Sequence, residues 1–329
     1  MRVPRFGPAD LGRRVSVRFV ASDALGALGQ PQFRDVVGTL IAADDDTWVV
    51  RRRDGQDVAV DPEAVVAARL VPAAPNRLRR AADIDTPSLE RIAAAGWQPL
   101  EAEEMGGWLL RAAGGFTGRA NSVLALGDPD RPWPQALDDV ARWYRRRRLV
   151  PTVQVALPWG QALDERLAAA GWTAEHPVRV QVVDVASALM LVAVRDDLPP
   201  LELTDRPTPA WTSVYRYGSA PLPPVGEAVL ANADEPVFVL ASDPGPVPVA
   251  VGRGALTPGW LGITAIDVAA GARRRGLGGH VLRGLLAKAS ARGARFAYLQ
   301  VADENVAAQA LYARFGFVDH HRYHYRRLR

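Results

Sequence analysis

Ile263-Thr264-Ala265-Ile266-Asp267-Val268 reads as a strand, and the chain leaves it across Ala269–Ala272 into Arg273-Arg274-Arg275-Gly276-Leu277-Gly278-Gly279. A helix is predicted over His280–Arg292. A strand that empties into a Gly-rich turn at a helix N-terminus confines this part of the chain to an α/β or α+β arrangement. It also specifies a chemistry. Such a turn presents unpaired backbone N–H groups at the positive end of the helix dipole, and the arginines beside it add charge-assisted contacts, a combination suited to a pyrophosphate. Glycine is needed there because a Cβ would hold phosphate oxygens away and because the turn can require positive φ. A Walker loop would need GxxxxGKS or GxxxxGKT, and no Lys-Ser or Lys-Thr follows. A dinucleotide fold wants GxGxxG, which the spacing of Gly276-Leu277-Gly278-Gly279 breaks.

The same texture occurs twice. Ala170-Gly171-Trp172 closes one helix and starts a strand, as Phe315-Gly316-Phe317 does later. Val123–Gly127 stands upstream of the first of these and Ile266–Gly271 at nearly the same distance upstream of the second. Between the anchors both stretches read strand, loop, long helix, strand, short helix, with Thr152–Ala156 and Tyr298–Ala302 as inner strands and Leu163–Ala170 and Ala307–Arg314 as second helices. This is a tandem pair of one α/β unit. A Pro-rich stretch from Leu198 to Pro209 separates the copies.

The first part of the chain differs. Arg14–Ala21, Val36–Ala43, Trp48–Arg53 and Asp57–Val60 alternate apolar and polar residues and are divided by turn signals such as Asp54-Gly55. Short strands at this density resemble an SH3-like barrel, and Pro72–Pro75 makes a linker after it. The expected division is therefore a barrel over 1–74, a first α/β copy over 76–197 and a second over 200–329.

Composition removes several functions. There is no cysteine, which excludes disulfides, thiolate zinc sites and cysteine nucleophiles. None of His176, His280, His320, His321 and His324 forms an HxxxH or HExxH pair on a helix, so no metal site is expected. The longest apolar stretch, Val178–Val194, is interrupted by Arg179, Gln181 and Asp184 and cannot span a bilayer. The N-terminus lacks the apolar run of a secretory signal, and a cytoplasmic enzyme is expected. Net charge is only +4 and Lys288 is the single lysine. The densest basic run, Arg145–Arg148, ends a predicted helix, where cations complement the dipole, so nucleic acid is not the expected partner.

Arg273-Arg274-Arg275-Gly276-Leu277-Gly278 fits the Gln/Arg-x-x-Gly-x-Gly/Ala signature of the GCN5-related N-acetyltransferases, the GNAT superfamily. Leu299-Gln300-Val301, Asn305, Ala308, Tyr312 and Phe315-Gly316-Phe317 fall at the spacing of that family's second block. The resemblance covers residues 200–329 closely and 76–190 in outline. It implies tandem GNAT folds with mixed, largely antiparallel sheets, an acetyl-CoA donor, and direct attack by a primary amine of a small molecule or a protein lysine. It further implies that backbone groups at Ile266 and Val268 meet the pantetheine and that Arg273, Arg274, Arg275, Gly276, Gly278 and Gly279 hold the pyrophosphate. Asn305 would contact the cofactor, and Tyr312 would protonate the leaving thiolate. One departure stands out: many members carry a glutamate base on the strand, and Trp260–Val268 offers only Asp267. A non-catalytic coenzyme A-binding protein is the alternative. A front barrel followed by two GNAT units is similar to an actinobacterial group linked to acetylation of proteins, histone-like ones included.

The first copy lacks the cradle. Gly127-Asp128-Pro129-Asp130-Arg131-Pro132-Trp133-Pro134 loses backbone donors to its prolines and adds two aspartates where a phosphate would sit. Gly114–Ser122, polar and Gly-rich, reads either as a hairpin loop or as an acceptor-site wall with Arg119 and Asn121 as contacts.

Overall fold

The computed structural model describes residues 6–7, 10–25, 31–52, 56–71, 80–215, 222–243 and 247–329. The Asp54-Gly55 turn and the Pro72–Pro75 linker lie outside the described residues. The chain divides into compact units Met1–Leu78 and Arg79–Arg329. The break expected near residues 197–200 therefore falls inside the second unit.

In the N-terminal unit, strands β1 (Arg14–Leu25), β2 (Pro31–Ala43), β3 (Trp48–Arg51), β4 (Asp57–Val60) and β5 (Val65–Leu70) pair in the order β4-β3-β2-β1-β5. All the pairings are antiparallel. Alternation sends Val15, Val17, Val36, Leu40, Trp48, Val50 and Val60 to one buried face, which is the physical origin of the period-two pattern.

The second unit runs α1 (Thr86–Gly96), β6 (Glu101–Met105), β7 (Trp108–Ala112), β8 (Val123–Ala125), α2 (Trp133–Arg146), β9 (Thr152–Leu157), α3 (Gln161–Ala169), β10 (Thr173–Asp184) and α4 (Val185–Leu191). It continues with β11 (Leu201–Thr204), α5 (Pro209–Val214), α6 (Pro224–Ala231), β12 (Glu235–Ser242), β13 (Pro248–Thr257), β14 (Trp260–Val268), α7 (Leu277–Ala291), β15 (Phe296–Ala302), α8 (Val306–Arg314) and β16 (Val318–Arg327). No helix is long and apolar enough to cross a membrane among the described residues.

These strands form one 11-stranded sheet in the order β11-β12-β13-β14-β15-β10-β16-β9-β8-β7-β6. The order is nearly palindromic. Each half contributes one parallel pair, β8 with β9 and β14 with β15. Its closing strand then lies in the other half's part of the sheet: β10 pairs with β15, β16 pairs with β9, and the two closing strands pair antiparallel with each other. From α2 onward an offset of 145 residues, which carries Gly171 onto Gly316, superposes the elements of one half on the other. The upstream anchors do not follow that offset. The parallel pairing sets Val123 opposite Val153 and Gly262 opposite Tyr298, so Val123 matches Gly262 rather than a residue near Ile266. β8 is simply short, and its loop reaches the helix sooner. The stretch Leu198–Pro209 is also more than a divider: it contains β11, an edge strand on β12, a position where flanking prolines are tolerated.

A buried polar chain welds the exchanged strand in place. Arg111 on β7 donates to Gln154 on β9 at 2.9 Å, and Gln154 donates to Glu90 on α1 at 2.6 Å. The other Glu90 oxygen meets His321 Nε2 on β16 at 2.7 Å, with both side chains almost fully excluded from water. Removing one member strands a buried charge. We expect His321→Ala to lower unfolding free energy by about 3–5 kcal/mol, read from the denaturant midpoint; a loss below about 1 kcal/mol would mean the chain of contacts is not what holds β16.

Candidate functional site

Along β14 and β15 the parallel register runs from Trp260 opposite Phe296 to Ile263 opposite Leu299 and then stops. Both strands continue, to Val268 and to Ala302, but no longer as partners. The cause is local. Arg253 on β13 faces Thr264 and Val251 faces Asp267, so Ala265 and Ile266 together oppose Gly252, a β-bulge. Ala265 takes φ of 53°, a left-handed conformation that costs a non-glycine residue about 1–2 kcal/mol. The bulge bends β14 away while β10 keeps β15 in register through Ala302. At the base of the parting, Gly262 makes room for Tyr298: a Cβ there would stand 2.3 Å from the tyrosine oxygen.

Next to the parting, on the α7 side, lies a cavity of about 830 Å³. Ile266, Val268, Arg273, Arg274, Gly276, Gly278, Gly279, Asn305 and Tyr312 all line it, so the structure brings together most of the residues singled out in the sequence. Gly276 is the N-cap of α7 with φ of 93°, and Arg274 precedes it with φ of 64°. No side chain caps this helix, and the first intrahelical bond of its opening turn is His280 N–H to Gly276 O. The N–H groups of the first turn are thus left for a ligand, at the positive end of a 15-residue helix. Residues Ile266 and Val268 face the same side as Gly278.

Three candidates hold positions that differ from the simplest expectation. Arg275 gives its guanidinium to Asp243 at 2.7 Å and borders a smaller adjoining cavity, whose lining also includes Arg195, Arg274 and Arg314. Val268 N–H is taken by the Asp267 carboxylate at 2.8 Å, which leaves one backbone donor fewer on the open strand. Asn305 caps α8 by accepting from Ala308 N–H at 3.1 Å, so its oxygen is engaged in forming the helix.

Tyr312 lies on α8 and packs against Phe317, with ring centroids 5.9 Å apart. Burial pushes its hydroxyl up to about 12, so at neutral pH it is a protonated donor. Burial alone sets that shift, with no hydrogen bond to the hydroxyl contributing among the described residues.

Arg195, Arg283 and Arg314, which also line the main cavity, were not singled out by any motif. Arg283 ties α7 to the end of α4 by donating to the carbonyls of Leu189 and Val192. Arg195 reaches the cavity because α4, which follows β10, packs on α7, whereas Arg283 and Arg314 are carried there by α7 and α8 themselves.

The polar stretch before β8 resolves into two different roles. Asn121 is buried and fully engaged: its oxygen accepts from Ala113 and Gly115, and its amide donates to Phe116 and Thr117. It staples its own loop and has nothing left to offer an acceptor, which corrects the expectation of a substrate contact. Arg119 is half-buried, stacks over Trp97 at 4.4 Å and donates to Gln300 on β15 at 3.1 Å.

The matching place in the first half is a cavity of about 510 Å³ with another lining. The offset that matches the halves sets Arg131 at the position of Gly276, Trp133 at Gly278, Gly160 at Asn305 and Leu167 at Tyr312. Trp133 is covered by Arg166 at 3.9 Å, and the prolines take away donors.

A parted strand pair, an uncapped Gly-rich helix start and a tyrosine on the following helix define an N-acetyltransferase of the GCN5-related type. A family model described as probable histone acetyltransferase Rv0428c, C-terminal, matches residues 82–326, and a second, the Rv0428c N-terminal Sm-like domain, matches residues 9–69. The chain belongs to this family of acetyltransferases. It is 30% identical over 326 residues to the probable histone acetyltransferase Rv0428c of Mycobacterium tuberculosis, covering 96% of this chain and 94% of the relative. It is 28% identical over 246 residues to the uncharacterized N-acetyltransferase YobR of Bacillus subtilis, covering 74% of this chain and 98% of that protein. A GCN5-related N-acetyltransferase from Kribbella flavida shares the fold with a TM-score of 0.55 at 17% identity, over 72% of this chain and 94% of the other. The N-terminal unit is all-β, and the family model describes it as Sm-like where its strand pattern resembles an SH3-like barrel.

Because Gly276 needs a left-handed φ and lies where an anion would rest, Gly276→Asp should weaken coenzyme A binding by roughly a hundredfold or more. Pro132→Ala, on the other half, should leave it unchanged. Calorimetric titration of both variants checks this, and equal losses would place the binding site elsewhere.

Proposed function

We propose that the chain moves the acetyl group of acetyl-coenzyme A directly to a primary amine, using the cavity between β14, α7 and α8. The observation that carries the reading is the convergence of the uncapped α7 N-terminus, the arginines around it and the protonated Tyr312 on one cavity beside the strand parting. The donor supplies an activated thioester. The N–H groups of Leu277, Gly278 and Gly279, with Arg273 and Arg274, would hold its pyrophosphate, and Arg314 would carry charge to its remaining phosphate beside Arg275 and Arg195, which are paired with Asp243 and Asp197. The open edge of β14 near Ile266 and Val268 would run alongside the pantetheine.

The chemistry then asks little of side chains. The amine nitrogen bonds to the thioester carbon, the carbon–sulfur bond breaks, and Tyr312 supplies a proton to the departing sulfur; the amine's own proton goes to water. No carboxylate lines the cavity among the described residues, and Asp303 is engaged by Arg179 at 2.6 Å, so no general base is assigned. The two α/β halves then divide the work: residues 200–329 carry the reaction, while the first half lends structure, part of the acceptor side and, through Leu191–Arg195, one wall of the cofactor cavity. The acceptor is a protein lysine, as the relative's description as a probable histone acetyltransferase suggests, or the primary amine of a small molecule.

Thiol release from acetyl-CoA with an amine panel tests this. We expect Tyr312→Phe to lower kcat about a hundredfold with the affinity for acetyl-CoA unchanged. A general acid is lost as pH rises through its pKa, here about 12, so the wild-type rate should show no Tyr312 decline below about pH 10. Tight binding without turnover, together with an inert Tyr312→Phe change, would support a coenzyme A-binding protein instead.

A further inference from the structure

The parting of β14 and β15 has a second face, opposite α7, where Tyr298 and Gln300 of β15 lie with α1. Past the last paired residues, Ile263 and Leu299, the first positions on the two lips are Thr264 and Gln300. Each lip is held by an arginine. Arg253 donates to Thr264 Oγ1 at 3.3 Å, and Arg119 donates to Gln300 Oε1 at 3.1 Å. The two guanidinium groups share the Trp97 ring, 4.8 and 4.4 Å from its centroid.

These charges are not neutralised. Neither arginine has a carboxylate within ion-pair distance among the described residues. Arg253 is wholly buried; its other bonds go to the carbonyls of Leu230 and Gly96, and one terminal nitrogen has no partner at all. Burial and the neighbouring Arg119 both lower its pKa, to about 10, as expected for a cation lacking a counter-charge. The carboxylates in the surroundings are spent elsewhere: Glu90 on His321 and Gln154, and Asp267 in part on Val268 N–H. The polar groups on this face are also mostly donors. Gln300 Oε1 already accepts from Arg119 and from the Tyr323 hydroxyl at 3.1 Å, so the side chain has only its N–H groups left to offer. A buried cation without a counter-charge is costly unless something supplies one.

We propose that the acceptor amine carries an anionic group, a carboxylate or a phosphate, which is received by Arg119 and Gln300 on this face with Arg253 reinforcing the positive potential behind them. This rests on the acetyl-transfer reading above and adds a substrate class to it. Arg119 is the contact because it is half-buried and reaches the parting, whereas Arg253 is sealed off. The amine would then reach the parting from the side opposite the cofactor cavity. A lysine-rich basic segment fits poorly, since its neighbouring charges would face two arginines.

Matched acceptors decide it: glycine against glycinamide, phosphoethanolamine against ethanolamine, and polylysine, with thiol release from acetyl-CoA as the readout. We expect the anionic member of at least one pair to exceed its neutral partner in kcat/KM by about tenfold or more, and the better pair tells carboxylate from phosphate. Arg119→Gln should erase that preference and Arg119→Lys restore part of it, with KM for acetyl-CoA unchanged in both. A role confined to packing would lower the rates for both members of a pair alike, and that outcome overturns the proposal. So does a wild-type enzyme that turns over amines without favouring the anionic ones, or that favours polylysine. If no amine supports thiol release, the acetyl-transfer reading itself fails, and this one with it.

Discussion

β10 lies between β15 and β16, and β16 lies between β10 and β9, so each half of the sheet is finished by a strand from the other. This crossed pairing is the constraint on which the rest depends. β15 keeps a hydrogen-bonded neighbour through its whole length on the β10 side, which lets β14 leave it on the other side without the sheet fraying. Buried polar contacts among Arg111, Gln154, Glu90 and His321 then fix the exchanged strand against the first half. Neither half could be taken away without opening the other's sheet edge, which accounts for a single compact unit over Arg79–Arg329 despite its internal duplication.

Duplication has left two places with matching architecture and different chemistry. The place proposed for the cofactor has Gly276 in a left-handed turn and a bare helix start. Its counterpart has Arg131 at that position and tryptophans where the second half has glycine and loop backbone. A strand, loop and helix in the right order therefore do not by themselves make a cofactor site. The turn chemistry does, since donors must be exposed and a Cβ absent where phosphate oxygens approach.

Much of this was legible locally. The Arg273–Gly279 turn, Asn305 and Tyr312 belong to short motifs readable from neighbouring residues, and they line one cavity, although the capping of α8 by Asn305 was not foreseen. Strand and helix order in the two copies was readable for the same reason. The order of strands in the sheet was not, because exchange of closing strands depends on pairings between residues more than a hundred positions apart, as with Val182 and Tyr298. Arg195 was invisible for that reason too, since it enters the cavity from the chain that follows α4. Asn121 misled because a polar residue in a Gly-rich loop looks the same whether it faces a ligand or satisfies its own backbone; only its four internal bonds tell these apart. Arg119, three residues from the end of the same loop, faces the parting instead, and the charge it shares with Arg253 could not be seen from either segment alone.

We propose a single cofactor site for this two-halved chain, formed by the α7 turn. Its most direct test is the stoichiometry of coenzyme A binding by calorimetric titration of the full chain. One coenzyme A per chain is the predicted result; two per chain, with comparable affinities, would contradict it.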